Sequence, residues 1–200
     1  APLAGGVAAY VAWGEARGIH RRTTCAGRQP WYCLATQPDG RLLLAKGVWR
    51  RHFAPLADAP LAIDQQLYAV RLAEAWLPAA AALLNSVWFA LQCETHGRVN
   101  FGEGVLWLAA YELAEIRLPD LAALGGGARG DLAAAHARLS AANAPVGDGL
   151  EQPDRHALDE LVFDLVGLSA GERRAARAAL LACLDGRGRR ARQIAGGDET

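Results

Sequence analysis

Between Ala16 and Ala57 the chain carries Arg17, Arg21, Arg22, Arg28, Arg41, Lys46, Arg50 and Arg51 against a single carboxylate, Asp39. That stretch bears +7, and since 21 basic and 21 acidic residues balance over the 200-residue chain, the remainder bears −7. A basic front with an acidic back is the electrostatic footprint of a polyanion-binding face, although arginines paired to distant acids after folding give the same count. Guanidinium groups take phosphate oxygens or grip the O6 and N7 edge of guanine, so one cluster can supply both affinity and sequence reading. Phosphate contact is the commoner role. It makes Arg21, Arg22, Arg28, Lys46, Arg50 and Arg51 positioning candidates, with Arg28, two residues before Pro30-Trp31-Tyr32, also placed for a base edge. Trp31 and Tyr32 either stack on bases or pack in the core, and strand alternation makes at least one of them a packing residue.

Other residue types offer less. In the glycine-rich stretch Gly97–Gly104, Gly102 and Gly104 would let backbone amides approach a phosphate, and a tight turn needing positive φ would use the same glycines. The stretch follows a predicted helix and precedes a predicted strand, the reverse of a dinucleotide-binding turn. Cys25, Cys33, Cys93 and Cys183 lack zinc-pair spacing and any disulfide framework, so they read as reduced structural thiols. Cys25 and Cys33 as two ligands of a metal, with His20 and His52 the nearest further donors in sequence, would need an unusual geometry. Glu15, beside Trp13, reads as a structural carboxylate holding an arginine.

These residues need elements to position them. The front third reads as irregular and strand-rich: Trp31–Thr36 and Arg41–Ala45 flank the turn signal Gln37-Pro38-Asp39-Gly40 as a hairpin, and Leu67–Leu72 is a further strand. Pro78–His96 is a long buried helix, with Trp88, Phe89 and later Trp107 in the core and Gly97 closing the helix in the left-handed conformation. Val105–Leu108 is a strand, Tyr111–Glu115 a short helix, Gly125–Gly127 a flexible joint and Asp131–Asn143 helical. Two closing helices follow: Asp154 caps the first, Leu158, Leu161, Val162, Leu165 and Val166 share its inner face, and Ser169–Glu172 is a capping box for the second. The tail arginines 187, 189, 190 and 192 are a second basic patch, either solvated or ordered by phosphate. The fold class is α+β: a small twisted sheet backed by the long helix, with a C-terminal helical hairpin. The divisions are residues 1–124 as the body, 125–152 as a flexible connection with a short helix, and 153–200 as the hairpin and tail. The apolar runs are too short or too interrupted to span a bilayer, and Ala1–Tyr10 lacks the basic start of a signal peptide, so a cytoplasmic protein without a membrane partner is expected.

Three segments carry a resemblance. The first comprises Trp13-Gly14-Glu15, Gly18-Ile19-His20, Cys25, Arg28 and Pro30-Trp31-Tyr32. The second comprises Leu84-Asn85-Ser86, Gly97 through Leu106, and Glu115-Ile116-Arg117-Leu118-Pro119. The third comprises Leu158 through Asp164, Gly167-Leu168-Ser169 and Glu172-Arg173. In order and spacing they resemble the C-terminal target-recognition region of adenine-specific, S-adenosylmethionine-dependent DNA methyltransferases of restriction-modification and phage-defence systems. The resemblance implies duplex DNA as partner, with Arg98, Asn100, Gly102 and Gly104 joining the basic front in contacting it. It also implies a methyltransferase domain N-terminal in the parent, holding S-adenosylmethionine. This chain has neither the donor-binding turn nor the Asn-Pro-Pro-Tyr type motif, so it is expected to be no enzyme alone and to hold no cofactor. The rival readings are a module docking another subunit of a defence complex and a metal-dependent nucleic-acid enzyme.

Overall fold

The computed structural model describes residues 3–33, 39–99, 104–142 and 149–196. The chain divides into two units, Ala1–Pro38 and Asp39–Thr200.

The first unit is helical where strands were expected. Helix α1 covers Gly5–Ala16 and α2 covers Thr23–Ala26, with a 3-10 turn at Ile19–Arg21 between them. Ala8, Ala9, Ala12 and Ala16, the best helix formers, explain α1 better than any strand pattern does. Gly18 then reverses the chain at φ +69. Trp31 organises the unit. Its Nε1 donates to Glu15 Oε1 at 3.0 Å, and its ring lies so close to Gly14 that a Cβ there would stand 2.7 Å from it. Glu15 thus holds a tryptophan rather than an arginine, and Trp13 is exposed, stacked on Tyr10. Residues 31–33 form a turn, not a strand, and residues 34–38 of the expected hairpin lie outside the described residues.

The second unit holds two three-stranded antiparallel sheets instead of one. The first has the order β3-β1-β4, from β1 (Asp39–Ala45), β3 (Leu56–Ala62) and β4 (Leu67–Val70). Asp39 and Gly40, expected in a turn, are paired within β1 opposite Ala62 and Leu61. The buried Leu42 and Leu43 draw this strand to the centre of the sheet, where both edges are paired, and Gly40 fits because a Cβ would sit 2.8 Å from Ala69 Cβ. The second sheet, order β2-β6-β5, joins Gly47–Val48 (β2), Leu106–Trp107 (β6) and Arg98–Val99 (β5).

The long helix is two helices, α3 (Leu77–Leu84) and α4 (Val87–His96), bent by 69°. Asn85 and Ser86 cause the break. Ser86 Oγ caps α4 by accepting from Phe89 N at 3.2 Å, while the Asp159 carboxylate accepts from Val87 N at 2.7 Å, a favourable charge for a helix N-terminus. Gly97 is extended, at φ −74; glycine is required there because Leu106 would meet a Cβ at 2.9 Å. The remaining helices are α5 (Ala110–Leu113), α6 (Gly126–Ala141), α7 (Pro153–Leu165) and α8 (Ala170–Gly196). Gly125–Gly127, expected as a joint, starts α6, whose Leu132 and Ala135 bury against α3 and α7 and hold the helix despite its glycines.

In the closing hairpin Gln152, not Asp154, precedes the first helical residue, and Pro153 takes the first helical position. Leu158 and Val162 are fully buried while Leu161 is only half-buried. Ser169 and Glu172 form the reciprocal cap, with Ser169 N donating to Glu172 Oε2 at 2.8 Å. Phe89 is core; Trp88 and Trp107 are half-buried. Among the described residues no single helix is long and apolar enough to cross a membrane.

Candidate nucleic-acid interface

The loop joining β2 to β3 carries the densest basic and aromatic run of the second unit: Trp49, Arg50, Arg51, His52 and Phe53. Trp49 is 63% and Phe53 50% exposed, so two large apolar side chains flank Arg51 at the surface. Arg51 is exposed, its guanidinium 5.6 Å from the Phe53 ring centre. His52 points the other way and is buried.

Three buried polar anchors fix this loop. At its start, Arg187 of α8 donates from Nη1 to the carbonyls of Val48 (3.3 Å) and Trp49, and also to that of Gly104 (2.5 Å). In the middle, His52 Nε2 donates to Glu94 Oε1 at 2.7 Å. At the end, the Asn85 side chain accepts from Ala54 N at 3.1 Å and donates to Ala54 O at 2.8 Å. The first two anchors are one cluster, because Arg187 also grips both oxygens of Glu94, at 2.8 and 2.6 Å. The Glu94 and Arg187 side chains are only 2% and 3% exposed. Burial alone would raise the Glu94 pKa, but the hydrogen bonds from His52 and Arg187 outweigh it and hold the carboxyl below its ordinary value. The neighbouring Cys93 thiol is pushed up by burial and by the Glu94 charge, which leaves it inert. A loop locked in this way can hold Arg51, Trp49 and Phe53 in one orientation without a ligand to order them.

The other candidates from the sequence sit in differing surroundings. Lys46 lies half-buried between β1 and β2 with its ammonium 4.8 Å from the centre of the Tyr68 ring. Arg50 lines the inner side of the loop. Arg98 is engaged by Glu112, at 2.5 Å; a hydrogen bond from Ala109 N, then the Arg98 charge, holds that carboxyl below its ordinary value. Gly104 is buried at φ +68, and a Cβ there would meet Ala191 Cβ at 3.0 Å and the Arg187 carbonyl at 3.1 Å, so the close approach it permits is that of α8. Asn100 and Gly102 lie outside the described residues.

In the first unit Arg21, Arg22 and Arg28 are exposed, Arg21 Nε standing 3.3 Å from His20 Nε2. Tyr32 is exposed beside Trp31, ring edge to face. All four cysteines are free, and among the described residues no three His, Cys, Asp or Glu side chains group as metal ligands.

Sequence reasoning missed Glu94, Arg187 and Asn85 as the loop's supports. Asn85-Ser86 did stand out as polar residues in an apolar run. Arg187 gave no signal, since beside Arg189 and Arg190 it reads as one more tail cation. In the structure it is buried in α8, Arg189 and Arg190 are exposed, and the side chain of Arg192 lies outside the described part.

A family model for the C-terminal domain of the type II methyltransferase M.Eco57I matches residues 1–154. The chain belongs to that family. The matched part carries the first unit, both sheets and the Trp49–Phe53 loop, and it ends within the first turn of α7. No curated protein sequence and no solved structure matches the chain. A methyltransferase family implies S-adenosylmethionine as methyl donor in the parent enzyme. Among the described residues every strand pairing is antiparallel, and Gly104 leads into β6 rather than from a strand into a helix.

Proposed function

We propose that this domain recognises a short duplex DNA site and so delivers an adenine to the methyltransferase domain N-terminal to it in the parent protein. Chemistry and S-adenosylmethionine belong to that domain. Base methylation requires extrusion of the target from the stack, and a recognition domain clamps the duplex meanwhile.

The observation that carries this reading is the Trp49–Phe53 loop, which presents an exposed arginine between two exposed aromatics on a backbone tied down by buried polar groups. Arg51 is assigned to a phosphate, and Trp49 and Phe53 to apolar contact with sugar or with a thymine methyl group. Arg21, Arg22 and Arg28 add exposed cations from the first unit. Arg98 contributes less, since its charge is already matched by Glu112.

Binding of the isolated chain to duplex DNA, followed against salt concentration, tests the reading. With some four phosphates neutralised, log K should fall with log salt at a slope of about −3.6, and Arg51→Ala should make the slope shallower by about 0.9 for every sequence tried. A flat salt dependence, or none of the binding lost in Arg51→Ala, overturns it and shifts the case to a module that docks another protein subunit.

A further inference from the structure

Behind the loop lies a cleft of about 310 Å³, bounded by residues 50–56, the end of α6, the start of α7 and α8. We propose that it binds a phosphate-bearing ligand of about mononucleotide size, with Arg155 and Arg51 holding the phosphate.

Arg155 carries the argument. It is 7% exposed, and its Nε finds no hydrogen-bond partner. The facing carboxylate, Asp159, stands 3.8 Å away, beyond hydrogen-bonding distance. Asp159 is otherwise engaged, with Val87 N at 2.7 Å and Arg177 Nη1 at 2.9 Å. Arg155 thus keeps an ion pair with Asp159 but no hydrogen bond at Nε, and a buried N–H left open is costly unless an acceptor completes it. Arg51 lines the same cleft, and no aspartate or glutamate is among its described lining residues. Burial holds the Arg155 pKa below its ordinary value; the Asp159 charge opposes this in part, and repulsion from Arg51 and Arg177 adds to it. A phosphate between Arg155 and Arg51 offsets both burial and repulsion and forms charge-assisted hydrogen bonds.

The rest of the lining suits the remainder of a nucleotide. Leu139, Leu150 and Leu180 give apolar walls for a planar base. His136, whose pKa burial lowers, faces Ser140 Oγ at 3.3 Å, so hydroxyl and ring offer polar contacts in the lining. The volume falls at the small end of ligand pockets, about 300 to 1,000 Å³. The phosphate could belong to a free nucleotide or to DNA, and the test separates these sources.

The whole chain is titrated with inorganic phosphate, deoxyadenosine monophosphate and deoxyadenosine, with calorimetry and the NMR signal of the Arg155 Nε–H as readouts. The monophosphate should bind, shift that signal and bind at least about tenfold more tightly than the nucleoside, as loss of a charge-assisted bond demands. Arg155→Gln should lower monophosphate affinity by a similar factor, and Ser140→Phe, which narrows the cleft without touching Arg155 or Asp159, should lower it even if the first variant folds poorly. A duplex that competes with the monophosphate supports the site and names DNA as the source; a duplex that does not supports it and names a free nucleotide. Equal binding of nucleoside and monophosphate, or an Arg155 signal unmoved by millimolar phosphate and monophosphate, overturns the proposal. Duplex binding that still responds to Arg51→Ala in that event leaves the DNA-recognition reading standing.

Discussion

Replacing Arg187 by Met keeps most of the side-chain volume in α8 and removes the group that joins Glu94 to the backbone carbonyls at the start of the loop, leaving His52 as its remaining link. The carboxylate would lose a bidentate partner at 2.8 and 2.6 Å, and the carbonyls of Val48, Trp49 and Gly104 would lose their donor. Removing one member of a buried ion pair costs about 3 to 5 kcal/mol, because the other charge stays buried with less compensation, here from His52 alone. For a domain of this size that corresponds to a fall in Tm of roughly 6 to 20 °C. The pH dependence gives an independent check. The folded pKa of Glu94 lies below 4.5, so its contribution to stability is present above that value and is lost as pH falls through the folded pKa. In Arg187→Met the carboxyl, held by His52 alone, takes its proton more readily than in wild type, so the stability gap between wild type and variant should narrow on acidification. Adding Glu94→Gln should recover part of the loss, with a coupling energy of about 1 to 3 kcal/mol. Urea unfolding at several pH values measures all three quantities. A cost under about 0.5 kcal/mol, or a gap that widens toward acid, would refute the view of this cluster as a buried, ionised support.

Leu158→Ala should cost about 2 to 5 kcal/mol in chemical denaturation, because Leu158 is fully buried, whereas the half-buried Leu161→Ala should cost clearly less. Equal costs would mean that α7 presents a different face. Gly104→Ala should lose about 1 to 3 kcal/mol, since it strains a φ of +68 and presses a methyl group on α8; an unchanged Tm would rule out that packing. Arg28→Ala in the full-length parent should relax the methylated motif at one position, by about 1 to 3 kcal/mol of discrimination. Sequencing of methylated DNA that finds an unchanged motif at lower yield would make Arg28 a phosphate or structural residue.

The amino-acid sequence by itself determined whatever depends on local pattern. Leu158 and Val162 at helical spacing, the Ser169–Glu172 cap and the apolar stretch around Leu83 declare the helices, and the excess of arginine over acid between Ala16 and Ala57 declares a basic front. Three ordered motif segments between Trp13 and Arg173 placed the family, and the family model matches residues 1–154, which hold the first two. Only tertiary structure decided the pairing of β1, because its Leu42 and Leu43 accept any apolar partner and took β3 and β4 rather than the segment at Trp31. It also decided the fate of individual charges. Arg51, Arg98, Arg155 and Arg187 are the same letter, yet one is exposed, one is paired at the surface, one is buried facing a cleft and one is buried across a carboxylate. Charge is written in the chain, but desolvation and pairing depend on distant neighbours, Glu94 lying 93 and Val48 139 positions from Arg187, and no local pattern encodes such distances.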